Sequence, residues 1–229
     1  GRETAFHINT GFVGKDLRSV FHLSNVYSKS GFFANAHGLE PRRVDEGLHD
    51  ASSRDIQMPF QQVNHFKLIN RSTYLWNNHK FEAEVGFQRN YRQEYSQYVS
   101  HGYMPATFPD SLNLPENLER QFDKSVYSLN LRDEVTIGRH GITIGINTDY
   151  QDNTINGWTF LVPAFKQGNA GVFVYDKYRL NDQILLHGAL RYDHAQIKMS
   201  RYVDWFASES ADGEREKLMR ADDLQRSFN

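Results

Sequence analysis

The sequence predicts an all-β, antiparallel fold, and three features of the 229 residues indicate it. Apolar and polar residues alternate with a period of two over stretches longer than the about five or six residues usual for a globular strand. Short turns rich in glycine, asparagine and histidine separate these stretches in pairs. Long polar segments, which hold all 6 prolines, connect one pair to the next. Together these features predict about eight strands in four hairpins.

The alternation is clearest in the strand predicted for residues 80–95. Phe81, Ala83 and Val85 alternate there with Glu82 and Glu84. Successive side chains of a strand point to opposite faces, so one face of this strand is apolar and the other carries carboxylates. The predicted hairpins pair residues 5–13 with 17–27, 62–76 with 80–95, 126–137 with 142–151, and 171–180 with 184–199.

The connections between the hairpins are much longer than the turns within them. They cover residues 31–61, 96–121, 152–169 and 200–229, although residues 226–229 lead into a further strand. Structureless loops beyond about 12 to 15 residues are uncommon in a compact soluble domain. Outer-membrane barrels, in contrast, combine short periplasmic turns with long extracellular loops. The spacing therefore predicts an antiparallel transmembrane β-barrel segment with short periplasmic turns and long extracellular loops.

Strand length and aromatic positions favour the same fold class. A tilted membrane strand needs about 9 to 11 residues, and several predicted strands reach that length. Tyrosine and tryptophan are enriched at membrane interfaces. Eight such residues lie near predicted strand ends: Tyr27, Tyr74, Trp76, Tyr91, Tyr127, Tyr150, Tyr178 and Tyr192. Because aromatic residues are also common in soluble sheets, they do not decide the environment by themselves.

Composition excludes several classes of protein. Mean hydropathy is -0.67, and no stretch approaches the roughly 18 to 20 consecutive apolar residues of a helical membrane span. A net charge of -2 provides no basic field for nucleic acid. The absence of cysteine fits a bacterial envelope protein without disulfides, and also many cytosolic proteins. The first residues already alternate like a strand and show no targeting signal, so we expect the chain to lie inside a longer protein.

None of the common catalytic motifs occurs in the sequence. There is no HExxH, no GxSxG and no glycine-rich phosphate loop. The 10 histidines are scattered rather than set at metal-ligand spacing. We therefore expect no enzyme activity and no bound metal or cofactor.

Four segments carry a family resemblance: MPFQQVNHF at 58–66, VGFQRNYRQE at 85–94, GWTFLVPAF at 157–165 and GALRYD at 188–193. They resemble the barrel of TonB-dependent outer-membrane receptors, especially the iron and siderophore receptors. The resemblance implies a barrel of about 22 antiparallel strands, a plug domain inside it, and energy supplied by the TonB complex of the inner membrane. No plug domain and no TonB box is recognisable in the sequence, so we expect this chain to provide about a third of such a barrel.

The resemblance assigns the polar face of the strands to the lumen, where it would contact the plug. The residues predicted to face the lumen are ionisable and lie on predicted strands: Glu82, Glu84, Arg132, Glu134, Asp149, His187, Arg191 and Asp193. The polar face of a soluble sheet, or a lumen that holds only water, would show the same pattern.

The long loops are where a substrate would first meet such a receptor. Arginine donates charge-assisted hydrogen bonds in a planar fork, and histidine or tyrosine can ligate iron. The predicted ligand-binding residues are His37, Arg42, Arg43, His49, His101, Tyr103 and Met104. Loops are polar in most proteins, so an ordinary solvated loop remains the alternative for each of them.

The sequence thus predicts a receptor in the outer membrane of a Gram-negative bacterium that actively imports a scarce nutrient. A ferric siderophore or other iron chelate is the expected substrate, although haem, cobalamin, oligosaccharide and peptide importers share the same wall. The expected partners are the TonB complex, reached through the plug, and outer-membrane lipid. Two alternatives remain: a small eight-stranded outer-membrane barrel with a structural or adhesive role, and a soluble β-sandwich that binds carbohydrate.

Overall fold

The chain forms one antiparallel sheet of nine strands. The structure, a computed structural model, describes residues 1–32, 55–56, 58–100, 104–159, 161–200, 205 and 224–228. Each strand is hydrogen-bonded to the next one along the chain, so the sheet is a simple meander. Within the described ranges no residue is helical, and in particular no helix there is long and apolar enough to cross a membrane. The predicted all-β antiparallel fold is confirmed.

The nine strands form the four predicted hairpins and one additional strand. Their bounds are β1 (Arg2–Val13), β2 (Leu17–Gly31), β3 (Phe60–Trp76), β4 (His79–Tyr95), β5 (Leu118–Ile137), β6 (His140–Asn156), β7 (Phe165–Arg179), β8 (Leu185–Met199) and β9 (Leu224–Phe228). The predicted count of eight was one too low. The tail expected to lead into a further strand forms β9, which pairs with the last five residues of β8.

Several strands extend further into the predicted loops than the sequence indicated. Strand β5 begins at Leu118 instead of residue 126, and β6 ends at Asn156 instead of residue 151. Paired residues such as Gln121 and Asn156 are polar on both strands, so hydrophobic alternation disappears there although the hydrogen-bonded ladder continues. The backbone ladder needs no apolar side chain, which is why hydrophobic alternation underestimates these strands.

The hairpin turns are tight and lie together at one end of the sheet. Two of them contain only the residues 77–78 and 138–139. Asn77 has a φ of 55° and Gly138 a φ of 60°. The favoured two-residue hairpin turns need positive φ at their first central residue, a conformation that asparagine and glycine tolerate best. The strand ends from which the connections between hairpins depart, such as Gly31 and Tyr95, lie at the opposite end of the sheet.

The strand register separates the side chains into two chemically different faces. Leu68, Phe87, Tyr127 and Tyr150 lie side by side in one row across β3 to β6. We call the face that carries this row the apolar face. The residues one position away, such as Lys67 and Gln88, belong to the opposite surface, which we call the polar face.

The sheet is a single layer without a second sheet against it in the part of the chain that the structure describes. Among the described hydrophobic residues, only Met104, Leu118, Val135 and Trp158 are buried. Large side chains of the apolar face are instead open, and Leu190 for example is 75% exposed. The sheet is not closed into a barrel, because β1 and β9 are its two edges. The structure therefore shows a two-faced sheet that leaves its apolar side uncovered.

Candidate functional site

The polar face of the sheet carries all eight residues that the sequence assigned to the lumen. The ladder places Glu84 beside Asn130, Asn147 and Asp193 in one row, and Glu82 beside Arg132 and Arg191 in the next. Glu134, Asp149 and His187 lie on the same face in neighbouring rows. Whether this face borders a lumen or a plug remains a prediction. The structure shows that these side chains lie together on one face of the sheet.

A chain of side-chain hydrogen bonds crosses the polar face from β3 to β8. Arg71 Nε donates to Glu84, and Asn130 Nδ2 donates to the other oxygen of that carboxylate at 3.4 Å. Asn147 Nδ2 then donates to Asn130 Oδ1 at 2.8 Å. Arg191 Nη1 completes the chain by donating to Asn147 Oδ1 at 3.0 Å. Side chains of five strands are thus connected across the width of six, because Arg191 on β8 reaches over Gly171 of β7 to Asn147 on β6.

A second cluster joins two carboxylates and two cations nearer the turns. Arg132 Nε donates to Glu82 Oε2, and Lys80 Nζ lies 3.0 Å from the other oxygen of the same carboxylate. Lys80 also lies 3.8 Å from Glu134. Glu82 therefore accepts from two cations, whereas Glu134 is only loosely paired. Such partly solvated pairs contribute little to stability and are easily exchanged for other partners.

The remaining predicted lumen residues have partners of their own. Both carboxylate oxygens of Asp149 accept from Asn169 Nδ2, at 3.0 and 2.9 Å. His187 is hydrogen-bonded through Nδ1 to the Tyr175 hydroxyl. Arg191 binds Asp193 through two donors, at 2.7 and 2.6 Å. The polar face is thus a nearly continuous hydrogen-bonded surface made of short, exposed side chains.

Neutral amides provide much of this network, and sequence reasoning missed them. Asn130, Asn147 and Asn169 bridge between ionisable residues that were predicted, and Arg71 ends the chain on β3. The three asparagines lie at strand positions that alternation assigns to the polar face, but the prediction considered ionisable residues only. Arg71 is ionisable but stands between Asn70 and Ser72, where no hydrophobic alternation marks the two faces.

The loop end of the sheet carries a buried ion-pair cluster on the polar face. Glu94, only 9% exposed, is bound by Arg92 and by Arg120 Nη1, the latter at 3.0 Å. Arg120 Nη2 lies 2.6 Å from Glu119. Two arginines on one buried carboxylate fix the ends of β4 and β5, from which the loops depart.

An aromatic cluster lies beyond these strand ends and was not predicted. The Tyr98 ring packs edge-on against Trp158 at 5.3 Å and against Phe108 at 5.5 Å between ring centroids. Trp205 Nε1 donates to the Trp158 backbone oxygen at 2.9 Å. Trp205 lies between β8 and β9, so a third connection between hairpins takes part in the cluster. Burial raises the pKa of the Tyr98 hydroxyl, which donates to the Pro105 carbonyl at 2.6 Å. The long connections therefore share a small apolar core that holds their bases together.

Of the predicted ligand-binding residues, only Met104 belongs to the described part of the chain. Met104 is 7% exposed, and its backbone oxygen accepts from Ser100 Oγ at 2.8 Å. Its side chain is therefore packed inside the base of the loop. The sequence had predicted a side chain that is exposed to a ligand. The other six lie outside the described residues: His37, Arg42, Arg43, His49, His101 and Tyr103.

The arrangement can bind and exchange polar groups. The described residues contain no group of three or more histidine, aspartate or glutamate side chains that could hold a metal ion. The polar face offers paired cations, carboxylates and amides, which suit reversible hydrogen bonding with another polar surface. Comparisons of the chain with protein-family models, with curated proteins and with solved structures find no match.

Proposed function

We propose that this chain is part of the wall of a TonB-dependent outer-membrane receptor that actively imports a ferric siderophore or another iron chelate. The observation that carries the proposal is the contrast between the two faces of one uncovered sheet. One face exposes large apolar side chains, and the other carries a hydrogen-bonded polar network. In an aqueous environment such an apolar surface would require a covering layer.

The height of the apolar face supports a membrane location. The belt runs along β3 from Leu68 to Trp76, which is about 26 Å of strand at roughly 3.3 Å per residue, or about 20 Å in height at the roughly 35 to 45° tilt of a barrel strand. Charged side chains appear on the same face toward both ends. Arg89 pairs with Asp123 at 2.6 Å on the loop side, and His79 pairs with Asp133, in the row of Tyr74, at 2.7 Å on the turn side. An outer-membrane barrel has an apolar band about 25 Å tall with aromatic residues at both borders. Trp76 at one border and Tyr150 at the other fit that arrangement.

The two free edges support membership in a larger barrel. The described residues provide no partner for the outer edge of β1, and β8 pairs with β9 instead of returning to β1. In lipid every backbone polar group must be paired, so an open sheet edge is not tolerated. Further strands of the same protein would therefore pair with both edges and close the barrel.

The polar network suits a wall that holds a plug reversibly. Its ion pairs are half exposed, as in Arg132 at 51% and Arg191 at 49% side-chain exposure. Pairs of this kind contribute on the order of 0 to 1 kcal/mol each, so they can exchange partners at small cost. A plug bound by many such contacts stays in place at rest and separates when the TonB complex pulls on it.

The connections at the loop end would form the substrate entrance. The aromatic cluster of Tyr98, Trp158 and Trp205 holds three of these connections together at the loop end of the sheet. The arginines and histidines predicted from sequence in these loops provide donors for an anionic iron chelate. No bond is made or broken by the chain in this function.

The two alternatives, a small eight-stranded barrel and a soluble β-sandwich, fit the sheet less well than a receptor wall does. An eight-stranded barrel would pair β1 with β8, but β8 has β9 on that edge. A β-sandwich would bury the apolar face against a second sheet about 10 Å away, whereas Ile146 and Val172 of this face are 45% and 50% exposed.

Uptake in cells tests the proposal. We expect cells that carry the complete gene to accumulate radiolabelled ferric siderophore, and the accumulation to stop when the gene or the TonB complex is deleted. Exchange of Arg42 and Arg43 for alanine should weaken chelate binding at least tenfold. The matched control replaces Lys15 and Arg139, at the turn end, with alanine and should leave binding unchanged. Equal accumulation with and without the gene, across a panel of iron chelates, would refute the iron-import function.

A further inference from the structure

A row of polar side chains crosses the apolar face beyond its belt on the loop side. The strand ladder places five of them side by side across β1 to β5: Arg2, Lys29, Gln62, Gln93 and Gln121. By register all five belong to the apolar face, and on β3 they lie on the loop side of Leu68, where the belt begins. We call these five residues the polar row.

The polar row begins with two cations that stand directly opposite each other. Arg2 on β1 and Lys29 on β2 are direct partners in the ladder, and like charges in that position destabilise a sheet. None of the ion pairs formed by the described residues involves either of them. Arg2 is exposed and Lys29 half-buried, with its ammonium at the surface. An anion between the two cations would remove their repulsion.

Three glutamines continue the row as a chain of hydrogen bonds. Gln62 Nε2 donates to Gln93 Oε1 at 2.5 Å, and Gln93 Nε2 donates to Gln121 Oε1 at 2.8 Å. At the two ends of the chain, Gln62 Oε1 and Gln121 Nε2 have no partner among the described residues, and neither atom is buried. A primary amide has two N–H donors and one accepting oxygen. The row therefore offers an external ligand an acceptor next to Lys29 and donors at its other end.

Two aromatic rings border the row on the side away from the belt. Phe60 and Tyr95 are direct partners in the ladder, and their rings are stacked with centroids 4.7 Å apart. Lys29 Nζ lies 3.8 Å from the centroid of the Phe60 ring. Arginine and lysine bind phosphate, amides bind hydroxyl groups, and aromatic rings pack against the C–H face of a sugar ring. The combined chemistry is that of a site for a phosphorylated sugar.

The carboxylates beside Gln121 on β5 already have cationic partners. Asp123 accepts from Arg89 Nε and Nη2 at 2.8 and 2.6 Å. Glu119 lies 2.6 Å from Arg120 Nη2. Neither carboxylate is available to neutralise the two cations at the other end of the row, which stays positively charged.

We propose that the polar row binds the phosphorylated sugar headgroup of a glycolipid in the leaflet on the loop side of the belt. The inference rests on the proposed function, because it needs the apolar face to contact lipid. Arg2 and Lys29 bind the phosphate, and the glutamines bind sugar hydroxyls. The acyl chains of the same molecule lie along the exposed apolar side chains of the belt.

The length of the row indicates the size of the headgroup. Lys29 and Gln121 are three strand spacings apart, which is about 14 Å at about 4.8 Å per spacing. This distance exceeds the width of one sugar ring, so a headgroup of two linked rings fits the row. A glycerophospholipid has a phosphate but no sugar ring, and it would leave the glutamines without partners.

Native mass spectrometry of the complete protein in detergent tests this inference without any variant. The protein is mixed with equal amounts of an acylated glucosamine disaccharide bisphosphate, of the same glycolipid without phosphate, and of phosphatidylglycerol. We expect the bisphosphate to be retained at least about fivefold better than either of the others, because only it combines sugar hydroxyls with phosphate. Equal retention of the three lipids would overturn the proposal. Equally tight binding of the deacylated bisphosphate would overturn the assignment to a lipid.

Substitution of the cations then locates the phosphate. Exchange of Arg2→Gln together with Lys29→Gln removes both charges and should abolish the preference for the phosphorylated over the unphosphorylated glycolipid. The matched control is Lys166→Gln with Lys198→Gln, a second pair of direct partners on the same face and at the same end. There Asp152 lies 3.5 Å from Lys166 and no chain of amides follows. A first variant that keeps the preference, or a control that loses it, would contradict the assignment.

Substitution of the central amide locates the sugar. Gln93→Leu removes both hydrogen bonds of the chain and leaves the cations in place. We expect the preference over phosphatidylglycerol to disappear and the preference for the phosphorylated glycolipid to remain. Gln196→Leu, on β8 outside the row, is the control and should change neither. An unchanged preference over phosphatidylglycerol in Gln93→Leu would show that the amides do not bind the sugar.

Insertion into phosphatidylcholine vesicles separates this inference from the proposed function. Protein that inserts there but retains the three lipids equally refutes the glycolipid site and leaves the receptor proposal standing. Protein that inserts into no vesicle refutes both.

Discussion

Arg191 and Asp193 lie two residues apart on β8 and form a two-point ion pair directly above Gly171 of the adjacent strand. Arg191 donates through Nε and Nη2 to the two carboxylate oxygens, at 2.7 and 2.6 Å. A Cβ on Gly171 would lie 2.2 Å from Asp193 Oδ1 and 2.8 Å from Arg191 Nη2. The pair occupies this position only because the residue beneath it has no side chain.

Substitution of Gly171→Ala should therefore displace the ion pair and break the hydrogen bond from Arg191 to Asn147. We expect a small decrease in the free energy of unfolding, because the displaced ion pair is exposed to solvent and contributes little by itself. The midpoint of urea unfolding of the complete protein in detergent measures it. Gly168→Ala on the same strand is the control, since nothing lies within 4 Å of its added Cβ. Equal effects of the two substitutions would show that the close approach does not matter.

The ion pair between Arg132 and Glu82 should contribute little by itself. Their side chains are 51% and 23% exposed, and Lys80 provides Glu82 with a second cation. In a double-mutant cycle with Arg132→Met and Glu82→Gln we expect a coupling energy of about 0.5 kcal/mol that falls with added salt. A coupling above about 2 kcal/mol would mean that the network is rigid and unsuited to partner exchange.

Removal of Trp158 should release the loops without unfolding the sheet. Trp158 is 3% exposed and contacts Tyr98, while its backbone is bound to Leu118. Truncation of a buried tryptophan to alanine costs about 3 to 5 kcal/mol, so proteolytic cleavage between residues 96 and 117 should increase at least a hundredfold. The control is Trp76→Ala, because Trp76 is exposed at the opposite end. Unchanged cleavage in the Trp158 variant would show that the cluster does not hold the loops.

The same cluster should loosen at high pH. Burial raises the pKa of Tyr98, so the folded cluster holds this proton more tightly than the unfolded loop does. The stabilisation that the protonated Tyr98 hydroxyl gives to the cluster is fully present below the pKa of tyrosine in the unfolded loop, about 10. It is lost as the pH rises through the raised pKa of the folded state. Tryptophan fluorescence in a Trp76→Phe background should report this loosening. Tyr98→Phe should remove the pH dependence. If the fluorescence of that variant changes with pH as it does with Tyr98 present, the effect belongs to another group.

The sequence was sufficient to predict the strands wherever an apolar side chain alternates with a polar one. In β4, Phe81, Ala83 and Val85 defined both the element and its faces, and the structure has the same register. The prediction failed where the strands leave the apolar belt, because Gln121 and Asn156 carry no hydrophobic signal although they pair in the ladder. It left β9 out of the count of eight strands, although residues 226–229 were expected to lead into a further strand, because five residues are too few for a periodic pattern.

The candidate site was predictable in part for a similar reason. Alternation places Glu84, Arg132 and Arg191 on one face, which a sequence can show. The hydrogen bond between Asn130 and Asn147 depends on which strands are neighbours, and the aromatic cluster joins residues as distant as Tyr98 and Trp205. Contacts of that kind follow from strand order and loop paths, and local periodicity contains neither.

The most direct test of the central claim measures which face of β6 contacts lipid. The 229 residues contain no cysteine, so within this stretch each introduced thiol is a single site for a nitroxide label. Substitutions Ile142→Cys to Thr148→Cys, one at a time, are labelled in the complete protein in vesicles, and collision rates with oxygen and with a water-soluble nickel chelate are recorded. We expect even-numbered positions to collide with oxygen and odd-numbered positions with the chelate. Low collision rates with both reagents at the even-numbered positions would show that the apolar face is buried against protein, and the account would be wrong.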